Sequence, residues 1–413
     1  MKTNVMVKSV LCVTAVLFIA IPLVCHADTA EVLPKRVFDV GTTYYHYFDI
    51  HKRYNQDGKP EDLATDFNTD LTSKVFPALS ALDPFVGGRA SFGRSVVDFT
   101  LIYRWWEFTL AYGLTDRLTL GVLIPLNYSK NDVSAFLDSS TANVGKNSAL
   151  NSLRPLFVPG TVRLTTNDIQ NLLGRGLDIN GDGTIDIQGY GYKPVKTWSD
   201  TGVGDIELLG KYQFYKNDNW RLAFTGGVRL PTGEVDDIDN LADVSFGDGQ
   251  TDIIFRFHGD YLGIKKLLLN TTVRYEIQLP DKEKKRVPDR VDLPITANKE
   301  KVDRNLGDIV ALELMGKYNF TQYLSGGLKY RFTKKFKDKV DGDMGFVYSS
   351  LEDETNSRGH LAFAFLGFDT IQMYFDKKFP VPLSLKLEYR NRFAGKNNVT
   401  KSQYLALSLN IFL

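Results

Sequence analysis

Cysteine is nearly absent from the chain, since only Cys12 and Cys25 occur in its 413 residues. Both fall within residues 1–27, which we predict to be a signal peptide. Two lysines precede an apolar run at 10–24, and small residues stand at the positions inspected for cleavage after Ala27. The remaining chain would contain no cysteine, which excludes disulfides, thiolate nucleophiles and cysteine-based metal sites. Lipidation of Cys25 is disfavoured, because bulky residues precede it where lipoproteins carry a small one.

Long hydrophobic runs are absent beyond this N-terminal one, and none approaches the roughly 18–20 apolar residues that a membrane-spanning helix needs. An excess of charge of one sign is also lacking, because 50 Lys and Arg oppose 49 Asp and Glu, for a net charge of +1. We therefore expect neither a helical membrane domain nor a nucleic-acid partner. The mean hydropathy of −0.19 is what strands with one polar and one apolar face would produce.

Twelve segments alternate polar and apolar side chains along most of the chain. In the fifth, Trp220 and Phe224 share one face while Arg221 and Thr225 share the other. Successive side chains of a strand point to opposite faces, so each segment has one face suited to lipid and one suited to water. The predicted strands are 36–49, 95–113, 117–129, 201–216, 219–232, 249–261, 264–279, 306–319, 321–335, 357–376, 381–394 and 401–413.

The connections alternate between tight turns and long loops, as in outer-membrane barrels. Tight turns are predicted at 114–116, 217–218, around Gly263, at 319–321 and at 376–379. Long extracellular loops are predicted at about 50–94, 130–200, 233–248, 280–305, 336–356 and 395–400. Residues 28–413 are therefore expected to form an all-β, transmembrane, antiparallel up-and-down β-barrel of about twelve strands in the outer membrane of a Gram-negative bacterium. Charged residues inside a closed sheet favour an aqueous lumen over the dry core of a soluble sandwich.

The ends of the strands carry two further signals. Aromatic residues near the tight turns are expected to form an inner interfacial girdle, unless they are there only because aromatics favour strands. These residues are Tyr112, Phe214, Trp220, Tyr261, Tyr318, Tyr323 and Phe379. The last strand alternates apolar residues up to Leu413, similar to the C-terminal signal by which outer-membrane proteins engage the barrel assembly machinery. Such chains usually end in Phe, and this one ends in Leu.

Several short phrases of sequence resemble a known family. They are YGLTDRL at 112–118, IPL at 124–126, GVGDI at 202–206 and GGVRLPTG at 226–233. As a set they resemble outer-membrane proteins grouped as the meta-pathway phenol-degradation family, over roughly residues 95–280 with a continuation toward the end. The resemblance implies an outer-membrane β-barrel that admits small, often aromatic molecules, and it transfers no binding residues. The same phrases also suit turns, because Gly and Asp adopt backbone conformations that other residues resist.

Projecting the alternation inward predicts a lumen lined by charged residues, among which basic ones predominate. A narrow barrel leaves two interpretations open: a salt-bridged plug, or a size-limited pore with a weak preference for anions. The selectivity residues would be Arg221, Arg229, Arg256, Arg274, Glu276, Lys329, Arg331, Arg390 and Arg392. The rest of the lining would be Asp205, Glu207, Lys211, Asp252, Asp260, Lys266, Glu313, Lys317, Lys386 and Glu388. The alternation slips at Trp105 and Trp106, where we predict a β-bulge.

The second long loop contains a segment similar to a calcium-binding EF-hand loop. Oxygen donors recur at Asp178, Asn180, Asp182, Thr184 and Asp186. Gly183 stands where such a loop turns sharply, whereas Gly189 replaces the bidentate Glu at the twelfth position. The segment is therefore either a weak calcium site that orders the loop or a surface loop rich in Asx turns. A short helix is predicted before it at 166–173, capped by Asn167.

Three functions are compatible with these features. The first is an outer-membrane, porin-like channel for passive uptake of small molecules, aromatic or anionic solutes among them. The second is a plugged structural or adhesive barrel that presents calcium-ordered loops. The third and least favoured is an outer-membrane lipid hydrolase, because His46, His51, His258 and His360 lie in no recognisable nucleophile motif. We expect no enzyme activity. The expected partners are membrane lipid and lipopolysaccharide, whose bridging divalent ions could bind the acidic loops at 233–248 and 336–356.

Overall fold

The computed structural model describes residues 29–291 and 293–413. The predicted signal peptide at 1–27 lies outside these residues. The barrel wall consists of β1 Phe38–Tyr47, β2 Ser91–Thr115, β3 Leu118–Asp138, β4 in two segments Trp198–Val203 and Ile206–Lys216, β5 Trp220–Leu230, β6 Asp252–Ile264, β7 Leu267–Gln278, β8 Ile309–Asn319, β9 Leu324–Lys335, β10 Arg358–Asp369, β11 Leu383–Lys396 and β12 Gln403–Phe412.

The sheet closes on itself through its first strand. Val40 of β1 lies opposite Leu110 of β2 on one side and Ile411 of β12 on the other. Every neighbouring pair is antiparallel. Closure pairs the backbone groups of each strand with those of its neighbours, which lipid cannot do. The prediction of a closed, antiparallel barrel of twelve strands is confirmed.

Side-chain periodicity explains why these segments form a membrane wall. Phe224, Phe257, Leu269, Val273 and Leu407 are exposed on the outer face, while the residues that alternate with them point inward. Five of the predicted girdle aromatics lie on the outer face near the ends of strands, and two of them, Trp220 and Tyr261, have ring centroids 4.8 Å apart. The other two, Tyr323 and Phe379, lie in inner connections. Within the described residues, no helix is both long and apolar enough to cross a membrane.

Two local predictions about the wall are wrong. Pairing of β2 with β3 runs without a shift through Trp105 and Trp106, and the irregularity lies instead between Gly113 and Thr115. A tryptophan suits either face of the wall: Trp105 is buried inside and Trp106 is exposed outside. The last inner connection is not a tight turn, because β10 ends at Asp369 and a short helix, α2 Ile371–Phe375, follows.

The long loops fold into a cap over the outer mouth. They contain the short strands Lys52–Tyr54, Pro60–Asp62, Asp70–Thr72, Val144–Asn147, Ser152–Pro155, Gly176–Leu177, Ile187–Gln188, Asp281–Arg286, Lys299–Asn305, Lys339–Asp341 and Val399–Thr400, the 3-10 helices Thr65–Phe67, Pro77–Phe85 and Tyr348–Leu351, and helix α1 Thr166–Leu173. The predicted helix at 166–173 is confirmed. Its cap is Thr165, paired with Asp168 in a capping box, and not Asn167. Since β3 runs on to Asp138, the second loop begins later than predicted.

Candidate functional site: the barrel lumen

The lumen has two chemically different walls. Inward side chains of β4 to β9 and of β11 carry most of the charges inside the barrel, whereas β12, β1, β2 and β10 together contribute a cluster of aromatic and aliphatic side chains. On the second wall, Tyr45 stacks on Trp105 with centroids 4.4 Å apart, and Tyr47 stacks on Tyr404 at 4.0 Å. These four rings are almost fully buried, so the second wall is a packed aromatic layer inside the barrel, next to a set of fixed charges.

The charged wall is organised around Arg229. Its guanidinium lies 2.9 Å from the Glu207 carboxylate, 2.6 Å from that of Asp252 and 3.3 Å from that of Glu276. Register explains the first two contacts, because Glu207 and Asp252 lie directly opposite Arg229 on the flanking strands. Arg256 also bonds Glu207, at 3.2 Å. These ion pairs run along one wall, and this corrects the expectation that they would pair across the lumen and fill it.

A layer of side chains, which we call the waist, lies where the two walls meet. Phe363 of β10 has the Lys329 ammonium 4.2 Å from its ring centroid, and the guanidinium carbons of Arg331 and Arg390 at 5.4 and 5.0 Å. The Arg331 guanidinium lies 2.6 Å from the Glu313 carboxylate. The strand register brings these residues together, because Phe363 lies opposite Lys329 of β9 on one side and Arg390 of β11 on the other. An aromatic ring is therefore surrounded by cations inside the channel.

Cavities of about 950 and 1090 Å³ lie on either side of the waist. The outer cavity is lined by Arg331, Leu361 and Arg392, and the inner cavity by Lys329, Phe365 and Glu388. On β10 and β11 the lining residues of the two cavities are separated by one waist residue, Phe363 between Leu361 and Phe365 and Arg390 between Glu388 and Arg392. The waist is thus the partition between the two halves of the lumen.

The N-terminal segment occupies the inner mouth. The Ala30 amide donates to the Asp260 carboxylate at 3.1 Å, and the Gln213 side chain donates to the Ala30 carbonyl at 2.7 Å. The Lys211 ammonium donates to the Thr29 carbonyl at 2.8 Å, and Arg221 lies 3.2 Å from Glu31. No periodicity in the sequence marked this segment, because it is irregular and precedes the first strand.

The predicted selectivity residues fall into three groups. The first group forms the outer part of the charged wall and consists of Arg229, Arg256, Arg274 and Glu276. Arg392 lies on the outer side of the waist, where it donates to the Thr400 hydroxyl at 2.9 Å. Lys329, Arg331 and Arg390 are at the waist, and Arg221 is at the inner mouth.

The prediction for Lys266 is wrong. This residue is exposed in the turn between β6 and β7, where its φ of 65° breaks the alternation that we had extended through it. Sequence reasoning also missed Phe363 and the aromatic wall. The signal was weak, because residues 361–366 are apolar at every position and either face could have pointed inward.

The calcium-like segment is a compact surface turn. The Asp178 carboxylate accepts the Gly181 and Gly183 amides at 2.7 and 2.8 Å, and Asp186 accepts the Ile179 amide at 2.7 Å. Asn180, Asp182 and Thr184 lie in the same turn, where Asp182 accepts the Thr184 amide at 2.7 Å. Across residues 29–291 and 293–413, no cluster of three His, Cys, Asp or Glu side chains is arranged to hold a metal. Calcium binding by this loop stays a prediction.

The four histidines that follow the predicted cleavage site each lie close to a hydroxyl group. His46 is 3.5 Å from the Tyr44 hydroxyl, His51 is 3.1 Å from Thr100, and His360 is 2.7 Å from Tyr330. His258 lies inside the lumen between Thr225 and Thr272, at 3.0 Å from each. These contacts suit structural histidines at the wall, and the absence of hydrolase activity stays a prediction.

Comparison with known proteins gives a family match and a fold match. The family model described as "Putative MetA-pathway of phenol degradation" matches residues 156–381. A crystal structure of an outer-membrane channel from Pseudomonas putida F1 is similar at 15% identity and a TM-score of 0.52, over 93% of this chain and 98% of that one. The CymD monoaromatic hydrocarbon channel is similar at 9% identity and a TM-score of 0.34, over 92% and 88% of the two chains. The NanC porin is similar at 6% identity and 0.33, over 77% and 98%. No curated protein matches the chain.

Proposed function

Given that the chain belongs to the family described by the MetA pathway of phenol degradation and has an outer-membrane barrel fold, we propose that it is a channel for passive entry of small aromatic solutes, aromatic anions included. The observation that carries this proposal is the waist, where Phe363 lies among Lys329, Arg331 and Arg390. A solute with an aromatic ring and a negative group would there contact both an aromatic ring and cations. The outer membrane is the location that the fold and its apolar outer face support.

The charge balance of the waist supports anion preference. Four cations, Lys329, Arg331, Lys386 and Arg390, lie with two carboxylates, Glu313 and Glu388. The Lys329–Glu313 and Lys386–Glu388 contacts are long, at 3.6 Å. The Lys386 side chain is 28% exposed and lines the inner cavity, so a solute carboxylate can approach its ammonium group there.

The aromatic wall supports selectivity for rings. Tyr45 and Tyr404 flank Arg390, whose guanidinium carbon lies 5.0 and 5.4 Å from their ring centroids. An aromatic contact contributes about 0.5–1.5 kcal/mol beyond the area that it buries. That strength is enough to favour one solute over another and weak enough to allow release, as conduction requires.

A liposome-swelling panel tests the proposal. Proteoliposomes should swell faster in benzoate and phenol than in arabinose or glycine, and liposomes without protein should set the background. Equal rates for all four solutes would indicate a general porin. Rates at background for all four would instead support the plugged structural or adhesive barrel and overturn the proposal.

A further inference from the structure

A second cavity, separate from the lumen, lies in the extracellular cap. It is partly open to solvent, with about 830 Å³ of empty space that includes its solvent-filled mouth, and it is lined by the first loop, helix α1, the outer ends of β2 and β3, Val195 of the second loop, Leu241 of the third loop, and Pro294 and Ile295 of the fourth. Fourteen of its nineteen lining residues are apolar, among them Phe76, Ile169, Leu173 and Ile295. Since most of this lining comes from loops, the cavity is a property of the cap and not of the wall.

The polar side chains of the lining are largely engaged by the protein. Gln170 accepts the Val195 amide at 2.9 Å and donates to its carbonyl at 3.3 Å. The Thr166 hydroxyl accepts the Leu137 amide at 3.0 Å, and Asp66 is paired with Arg53. What remains for a ligand is apolar surface with a carboxylate at its edge. That chemistry disfavours an anion and suits an uncharged molecule.

The floor of this cavity is continuous with the aromatic wall. Val97 and Val195 line the cavity and also belong to the buried cluster that extends through Leu101 to Tyr45 and Tyr404. Phe67, another lining residue, meets Phe99 of β2 edge to face with centroids 4.9 Å apart. The cavity lining is therefore packed directly against the aromatic wall.

We propose that this cavity is an extracellular capture site for an uncharged, mainly apolar small molecule of the size of one aromatic ring. Binding at this site does not depend on the channel function proposed above, whereas delivery of the molecule to the lumen does. The cap would raise the local concentration of sparingly soluble compounds at the outer mouth. Pocket volume and an apolar lining with few polar groups are the usual features of such sites.

Bromobenzene is the probe, because the anomalous scattering of its bromine atom shows where the molecule binds. Crystals of the full chain soaked in bromobenzene should show an anomalous peak in the cap cavity. Ala135→Phe fills the cavity from a regular strand position and should remove the peak, and Ser134→Phe, on the opposite face of the same strand, should keep it. Should Ala135→Phe fail to fold, Leu241→Trp fills the cavity from the third loop.

Solution binding and transport separate this proposal from the channel function. With the chain in lipid nanodiscs, fluorobenzene followed by ¹⁹F NMR should bind at least tenfold more weakly to Ala135→Phe than to Ser134→Phe. Bromine peaks confined to the lumen or the lipid belt, or equal binding to both variants, would overturn the capture site. The swelling rate in benzoate should be the same for Ala135→Phe and wild type. Failure of the channel proposal would therefore appear in the swelling assay, and failure of the capture site in the binding assay.

Discussion

At the scale of single residues, the waist combines an aromatic ring on β10 with cations on the two neighbouring strands, β9 and β11. Alternation in the sequence correctly placed most lumen charges, because a charged residue can face only one side of a membrane wall. It could not place Phe363, since Phe363 and its neighbours Ala362 and Ala364 are all acceptable to lipid. Which face of β10 points inward depends on pairing with β9 and β11, and that is long-range information.

Phe363→Ala should reduce discrimination between aromatic and aliphatic anions. Losing one aromatic contact of about 0.5–1.5 kcal/mol corresponds to about a two- to tenfold smaller rate ratio of benzoate to acetate. Liposome swelling measures that ratio. The matched control is Phe365→Ala, which changes the next lumen-facing residue of β10 toward the inner mouth. This variant should keep most of the benzoate-to-acetate rate ratio. An unchanged ratio in Phe363→Ala would remove the waist from the account of selectivity.

Lys317→Gln with Lys386→Gln should weaken anion preference. Both lysines line the inner cavity, and Lys386 is only loosely held by Glu388 at 3.6 Å. Under a salt gradient in planar bilayers, the reversal potential should shift toward the equilibrium potential of the cation. Lys266→Gln removes the same charge from an exposed turn and should leave the potential unchanged. A shift of equal size in both variants would contradict the assignment of the lumen lysines.

Calcium should bind the loop at 178–186 only weakly. With Gly189 where a bidentate Glu is expected, we expect a dissociation constant on the order of 10⁻⁴–10⁻³ M. Isothermal titration calorimetry of the full chain measures it, with Asp178→Asn and Asp182→Asn together as the control. Equal heats for wild type and control would show that the segment is a metal-free Asx-turn loop.

At the scale of elements, strands were predictable and the packing of loops was not. Period-two alternation leaves little ambiguity in most wall strands, and β10, which is apolar throughout 361–366, is an exception. Helix α2 was missed because Ile371, Met373 and Phe375 also alternate, and a run of five residues cannot separate a strand from a helical turn. The cap depends on contacts between loops far apart in sequence, and no local pattern encodes them.

Arg286 joins three outer loops and its loss should open the cap. Its guanidinium donates to the Tyr190, Gly191 and Thr296 carbonyls at 2.9, 2.8 and 2.6 Å, bonds Asp239 at 2.6 Å and lies 3.8 Å from the Tyr192 ring centroid. Arg286→Ala leaves the three carbonyls without this donor, at a cost of about 1–3 kcal/mol, whereas Asp239 keeps its ion pair with Lys299 at 2.7 Å.

Limited proteolysis of the outer loops should show the effect of Arg286→Ala. Cleavage should be faster than in wild type, and Arg286→Lys should recover only part of the protection because an ammonium cannot replace the planar fork. Lys284→Ala, exposed on the same short strand, is the control. Equal cleavage of Arg286→Ala and Lys284→Ala would contradict the role of Arg286.

The third loop should be more stable in mild acid. Burial raises the pKa of Asp236 to about 7, and the carboxylate of Asp243 adds to this while Lys285 opposes it. The folded pKa exceeds the unfolded value of about 3.9, so the protonated form stabilises the loop at pH 5 and that contribution is lost as pH rises through 7. Hydrogen-exchange protection factors in 231–251 should fall between pH 5 and pH 8, and less so in Asp236→Asn. An identical fall in both proteins would exclude Asp236 as the cause.

At the scale of the whole molecule, a closed wall surrounds two internal cavities that the waist separates, and a loop cap covers the outer mouth. The sequence predicted the wall and its location, because lipid imposes the same rule on every strand. It did not predict that the N-terminal segment would occupy the inner mouth or that the charges would pair along one wall. Both outcomes depend on which strands become neighbours when the barrel closes.

A single cysteine in the lumen tests the central claim, that solutes pass through the inside of this barrel. The described residues contain no native cysteine to interfere. Leu361 lines the outer cavity and Ala362 faces lipid. In planar bilayers, a negatively charged methanethiosulfonate should block the current of Leu361→Cys and leave that of Ala362→Cys unchanged. Absence of any current in the unmodified protein, or block at neither position, would contradict the account.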